Sequence, residues 1–204
     1  MAQKKSCADA VDLYEDVIKC PGQKRLPGTR AYGWFIRRAY ITKLAEPQKE
    51  AATALKDYLV IKESHTLQAD KKWIRLEFIP DKSSMAPEAQ GEEGSKTMNN
   101  KATVVLPGTE EEQQAVASML LNDDVIVLVP QRNGKVRQFG DDAFTVNVTP
   151  SATTGASVTD ESNTTLEISV ACETMPPFYY GDIVTADGTF NGETCKLKTV
   201  SEGS

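Results

Sequence analysis

The side chains in this sequence that could do chemistry are few, and their spacing narrows the choice further. His65 is the only histidine among 204 residues. A metal site built on two histidines of one chain is therefore excluded, the HExxH arrangement included, and a catalytic triad could draw on this one imidazole only. The plainer reading of His65 is a surface residue beside Lys62 and Glu63. Cys7, Cys20, Cys172 and Cys195 are widely separated and form no CxxC. That leaves a zinc or thioredoxin-like site unsupported and predicts free, mostly buried thiols. No GxGxxG follows a strand and no GxxxxGK[ST] occurs, so no loop is built to cradle phosphate.

Carboxylates are plentiful, but most have a structural reason to be where they are. Glu110, Glu111 and Glu112 stand where a helix would begin, at the positive end of its dipole, and Glu92 and Glu93 belong to a solvated loop. Asp123-Asp124 and Asp141-Asp142 do not follow the D-x-[DN]-x-[DN]-G pattern of a calcium loop and read as turn residues. A glycosidase would need two carboxyl groups at fixed separation in a cleft, which spacing along the chain does not reveal. No cofactor, metal or catalytic residue is expected.

The elements that would carry these residues are mostly strands. The chain is 40% hydrophobic and 25% charged, with a formal net charge of −6 from 23 basic and 29 acidic side chains, the profile of a soluble globular protein. Tyr32–Thr42 is dense in aromatic and β-branched residues, and 73–80 alternates with one apolar face. Val125–Val129 reads as a strand apolar on both faces, followed by Asn133-Gly134, a tight-hairpin signal. Two alternating runs follow, one with Phe144, Val146 and Val148 inward, the other with Leu166, Ile168 and Val170 inward, and a Ser/Thr/Gly loop spans 150–157 between them. The clearest helix covers about 109–122, with Thr109 and Glu112 as a capping box and Ala115, Val116, Met119 and Leu120 as its buried stripe. A helix is expected at 6–19, and a short helix or a structured connection at 46–58, where Ala51, Ala52, Leu55, Tyr58 and Leu59 fall at helical spacing. A long polar segment from Asp81 to Asn100 separates two strands, so 73–106 reads as one extended hairpin, far longer than the usual two to five loop residues. The sum is a mainly β (α+β) fold of about seven to nine strands.

Charge is distributed unevenly. From Lys19 to Lys43 there are seven cations, Arg25, Arg30, Arg37 and Arg38 among them, and no acid. From Phe144 onward eight acids face Lys196 and Lys198. Strand alternation would divide the basic residues between two faces, so contact between copies of the chain is favoured over a nucleic-acid platform. The aromatic segment with Phe178 and Tyr179 either covers a core edge or docks on a neighbour. The opening residues meet Asp9, Asp12, Glu15 and Asp16 where an export signal would be apolar, and no run approaches the length of a membrane span. No export and no membrane contact are expected.

The order of certain pieces resembles a known family. Leu26-Pro27-Gly28-Thr29-Arg30 leads into the aromatic strand, and Lys72–Phe78 is followed by the polar hairpin with Glu88-Ala89-Gln90-Gly91-Glu92. Leu106-Pro107-Gly108-Thr109-Glu110 opens the helix, and Asn133-Gly134-Lys135 with Arg137 and Thr154-Gly155-Ala156 complete the series. From about Cys20 to Gly181 this resembles the major tail tube proteins of long-tailed, siphovirus-type phages, particularly those of Bacteroidetes-type phages and prophages. The resemblance implies a β-sandwich or barrel-like tail tube fold with one flanking helix. It further implies assembly as stacked hexameric rings forming a hollow conduit for DNA ejection. The expected organisation is an N-terminal arm over 1–30, a tail-tube-like β domain over 31–181 and a C-terminal hairpin or extension over 182–204. The hairpin residues Met85, Glu88, Gln90, Glu92, Glu93 and Lys96 would join rings, and the arm would latch a neighbour. Expected partners are further copies, the terminator, tape measure and distal tail proteins, and double-stranded DNA passing through an acidic lumen. The place would be the virion tail, assembled in the host bacterial cytoplasm. Two other readings are the inner tube of a contractile injection system and, in a different class, a monomeric β-sandwich module binding carbohydrate or a surface.

Overall fold

A computed structural model describes residues 13–23 and 25–198. In chain order the strands are β1 (Tyr32–Arg37), β2 (Ile41–Lys43), β3 (Val60–Ile61), β4 (Thr66–Leu67), β5 (Ile74–Glu77), β6 (Ser84–Met85), β7 (Glu88–Gln90) and β8 (Thr97–Pro107). Helix α1 (Glu111–Leu120) comes next. Then follow β9 (Val125–Pro130), β10 (Val136–Phe139), β11 (Asn147–Thr153), β12 (Asn163–Cys172), β13 (Phe178–Tyr179), β14 (Asp182–Thr185), β15 (Gly188–Asn191) and β16 (Lys196–Leu197). The expectation of a mainly β, α+β chain holds, and its sheets are open ones. One runs β3-β13-β10-β9-β1-β5, and a second runs β11-β12-β8 with β6 and β7 sharing the far side of β8.

These two sheets face each other. Phe35, Val125, Val127, Val129 and Phe139 from the first meet Ala102, Val104, Leu106, Val148, Leu166, Ile168 and Val170 from the second, with Ala117 and Leu120 of α1 closing one side. The other face of the first sheet is buried as well. Trp34, Ile36, Ile126, Leu128 and Val136 lie under Ile41, Trp73, Ile183, Phe190 and Cys195. This double burial explains why every residue of β9 is buried and why its sequence lacks alternation. The small β14-β15-β16 sheet is therefore part of the main body, closing a second core with an aromatic cluster in which the tilted Trp34 and Phe190 rings have centroids 5.4 Å apart.

Several expectations are corrected. The 73–106 segment is not one hairpin. β5 pairs with β1, Tyr32 opposite Glu77, and the chain then crosses to the other sheet. Trp73 is buried in one core and Phe78 in the other, which demands a strand lying on the doubly covered sheet. Pro80 lacks the N–H needed to continue the ladder, and Ser83 supplies side-chain bonding at the crossing. Its hydroxyl donates to the Ile79 carbonyl at 2.8 Å and accepts from the Val105 N–H at 3.1 Å. The true hairpin is β7 against β8, with Glu88 opposite Asn99 and a tip at 91–96.

The aromatic strand breaks at a 3-10 turn over Arg38–Tyr40, where Arg38 Nη1 donates to the Ile41 carbonyl at 3.1 Å. Residues 46–58 take the structured-connection alternative, two 3-10 turns at Lys49–Ala51 and Leu55–Asp57, and of the residues at helical spacing only Ala52 is buried. Residues 13–19 are non-helical, and the remainder of the 6–19 helix lies outside the described residues. The proposed capping box is absent from α1: Glu110 is the cap without a side-chain bond, while the Thr109 hydroxyl pairs with that of Ser162 at 2.9 Å. Ala115 and Met119 face solvent, and Ala117 with Leu120 forms the buried side. Finally, β11 runs through Pro150 to Thr153 where a loop was expected. An edge strand tolerates proline because the missing donor would have faced outward.

Candidate functional site

His65 is not on the surface. Only 7% of it is exposed, and its ring stacks on Tyr179 with centroids 4.6 Å apart. The backbone N–H of Ala45 donates to Nδ1 at 2.9 Å, which places the ring proton on Nε2, and Nε2 then donates to Gln138 Oε1 at 2.9 Å. Burial pulls its pKa down to about 4, against a weaker upward pull from Gln138. The imidazole is thus neutral, fully hydrogen-bonded and committed to holding Ala45 and β10 together. A general base needs a free lone pair, and this ring has none.

The other chemistry-bearing groups are similarly occupied. Asp123 pairs with Arg37 at 2.5 Å and Asp142 pairs with Arg38. Asp141 accepts from the backbone N–H groups of Ala143 and Phe144 at 2.8 and 2.7 Å, which makes it a turn cap. A cleft of about 720 Å³ lies between the Glu46–Ala51 segment and residues 140–144 and 172–174. Its thiol, Cys172, is pushed up to about 11 by burial and so stays protonated at neutral pH, and its Lys49 is tied to Glu173 at 3.0 Å. Cys195 is also raised, chiefly by burial. Cys20, by contrast, is exposed, and Cys7 lies outside the described residues. Among the described residues no group of three His, Cys, Asp or Glu side chains converges as a metal would require, and no helix is long and apolar enough to cross a membrane.

The expected contact residues separate into distinct groups. Arg25 is exposed. Arg30 turns inward, with Nη1 donating to the Cys195 carbonyl at 3.2 Å and to the Tyr32 hydroxyl at 3.3 Å. Arg37 and Arg38 are held by the two aspartates just described, so Arg30, Arg37 and Arg38 are all engaged within the chain. Tyr179 is wholly buried; its hydroxyl accepts from the His65 N–H at 3.1 Å and donates to the Asp182 carbonyl at 3.0 Å, which removes it from any contact surface. Phe178 is half-buried beneath the Arg137 guanidinium, 3.5 Å from its ring centre. Met85 packs partly on the main core. Glu88 pairs with Lys101, and Gln90 Nε2 donates to the Thr97 hydroxyl at 3.4 Å. Glu92, Glu93 and Lys96 stand exposed at the hairpin tip.

The surface these elements build is the outer face of the second sheet. Residues two apart along a strand share a face. With the leucines, isoleucines and valines of β8, β11 and β12 turned inward, the cross-strand rows Asn147–Ser169–Lys101 and Thr149–Glu167–Thr103 point out. Apart from Lys101 and Glu167, these rows are made of small uncharged polar groups, Asn, Ser and Thr. Lys101 is neutralised by Glu88, while Glu167 is exposed and makes no ion pair among the described residues. Both margins of the sheet are open, since β11 on one side and β6 with β7 on the other each pair with a single strand. Sequence reasoning assigned the inward residues of β12 but passed over Glu167, although the alternation Thr165, Glu167, Ser169 carries it. No protein-family model, no curated protein and no solved structure matches this chain.

Proposed function

We propose that this chain is a non-catalytic structural subunit that assembles with copies of itself into stacked hexameric rings, the tail tube of a long-tailed phage and its conduit for DNA ejection. The observation that carries the reading is the second sheet: a wide polar face bounded by two unpaired edges, on a protein whose reactive groups are occupied structurally. An open edge presents unsatisfied N–H and C=O groups, and a soluble protein keeps such an edge only when something pairs with it or blocks it. Head-to-tail pairing of β11 of one copy with the β6–β7 side of the next is a heterologous contact, and such contacts close into rings when the rotation allows.

In that arrangement the small polar rows of the sheet line the channel. Each copy contributes Glu167, so six copies place a ring of carboxylates on a wall otherwise free of unpaired charge. Phosphate is repelled and finds no cation to hold it, which suits a passage through which DNA slides. The tail tube fold, the terminator, tape measure and distal tail proteins as partners, and the virion tail as location belong to this same proposal.

Sedimentation velocity across a concentration series tests it. Growth from monomer to hexamer and larger species supports the reading. A single monomer boundary at every concentration contradicts it and favours the monomeric binding module.

A further inference from the structure

One cationic cluster has no anion to match it among the described residues. Lys135, the residue just before β10, and Arg137 within it both reach over the Phe178 ring, opposite the side on which Val136 enters the second core. Phe178, registered with Arg137, and Tyr180 lie beneath them. The Arg137 guanidinium sits 3.5 Å from the centre of the Phe178 ring and donates from Nη1 to the Pro176 carbonyl at 2.6 Å. Lys135 Nζ donates to the Tyr180 hydroxyl at 2.7 Å and lies 5.1 Å from that ring centre. Neither cation has a carboxylate within ion-pair distance among the described residues, whereas Arg37, Arg38, Arg75 and Arg132 all do. A guanidinium carries five N–H donors in a planar fork, and stacking on an aromatic ring fixes that plane. Here one donor has a protein acceptor, so the rest of the fork is oriented and available to a carboxylate.

The reverse situation holds at the hairpin tip. Every residue from Glu88 to Thr97 is exposed, so this length of chain covers nothing in its own subunit. Its end projects past Met98, the last residue of β8 that pairs with β12, so the tip has no further strand beside it. Gly91 and Gly94, with φ of +93° and +88°, bracket two adjacent carboxylates, Glu92 and Glu93, that form no ion pair among the described residues. One part of the chain thus has oriented cations without acids, and another has projecting acids without cations.

We infer that the Lys135–Arg137 cluster on its Phe178–Tyr180 platform is the receptor for the Glu92-Glu93 hairpin tip of a second copy of this chain. The inference rests on the self-assembly proposed above and adds to the strand-edge pairing a second contact between copies. The aromatic platform keeps water from one side of the cations, which strengthens a carboxylate contact there relative to one in open solvent.

The test compares the critical concentration for assembly, by pelleting, of the wild type, E92K/E93K, K135E and K135E/E92K/E93K. The substituted residues make no core contact, and circular dichroism melts check that each variant is folded. The expected result is a rise of roughly tenfold or more for E92K/E93K and for K135E, with recovery toward wild type when they are combined. Zero-length carbodiimide cross-linking of assembled wild type gives a second readout, an inter-chain amide between Lys135 and Glu92 or Glu93. If E92K/E93K assembles at the wild-type concentration, or if the tip cross-links only to other lysines, the docking is overturned while self-assembly stands. A wild type that never assembles overturns self-assembly itself, and the docking with it.

Discussion

His65 is the residue whose behaviour differs most from what its type suggests. Its neutral form is the one the fold binds, with a pKa of about 4 against an ordinary 6.5, because burial opposes the charge and Nδ1 is already taken by the Ala45 N–H. As pH falls below about 6.5 the unfolded chain takes up a proton and the folded chain does not. The stability attached to this group is therefore complete above pH 6.5, is lost as pH falls toward 4, and changes no further below that, a total of about 3 kcal/mol. Since there is a single histidine, its imidazole proton resonances need no assignment, and NMR titration should show a midpoint near 4. A midpoint near 6.5 would mean that the ring is solvated. Gly33 makes a second prediction at this scale. A Cβ there would meet the Leu128 carbonyl at 2.7 Å and Phe78 Cζ at 2.8 Å, between β1 and the core. Gly33→Ala should cost about 1–3 kcal/mol in a urea melt. An unchanged midpoint would contradict a tight fit of β1 against Phe78 and the Leu128 carbonyl.

Among the elements, the β7–β8 hairpin and the β14–β16 sheet make opposite predictions. Replacing 91–96 by Asn-Gly removes only exposed residues, so the melting temperature should stay within about 3 °C of wild type while assembly is lost. Removing everything after Gly181 exposes Trp34 and Leu128, because Ile183, Phe190 and Cys195 cover them. That truncation should destabilise severely and shift tryptophan fluorescence to the red. The difference was only partly legible in the sequence. Asn133-Gly134 and the alternation of β12 announce themselves locally, through turn geometry and a two-residue period. Nothing local shows that β5 pairs backward with β1, since Trp73 and Phe78 look like one strand's apolar residues until both cores are seen. The Thr109–Glu112 cap failed for a related reason. Tertiary partners, Ser162 for the cap, took the groups that local rules had assigned. Pro150 read as loop because a proline is excluded only from central strands, and edge position is not written in the sequence.

At the scale of the molecule, the basic-to-acidic drift along the chain acquires a different meaning. Arg30, Arg37 and Arg38 are used within the subunit, so the early cations do not make a free basic face. Among the charged groups that form no ion pair within the described residues are Glu167, the hairpin-tip pair Glu92 and Glu93, and Lys135 with Arg137. Patches of opposite sign on one chain are what the proposed head-to-tail association would use. The candidate site was less legible than the fold, because it consists of a sheet face and two strand edges, which exist only after pairing is settled. Of the contact residues expected from the sequence, the hairpin tip stays available and Tyr179 does not.

The most direct measurement is electron microscopy of negatively stained, concentrated protein. The account predicts rings, or tubes built of stacked rings, with a stain-filled central channel. A field of dispersed single subunits at high concentration, with no ring or tube, contradicts it.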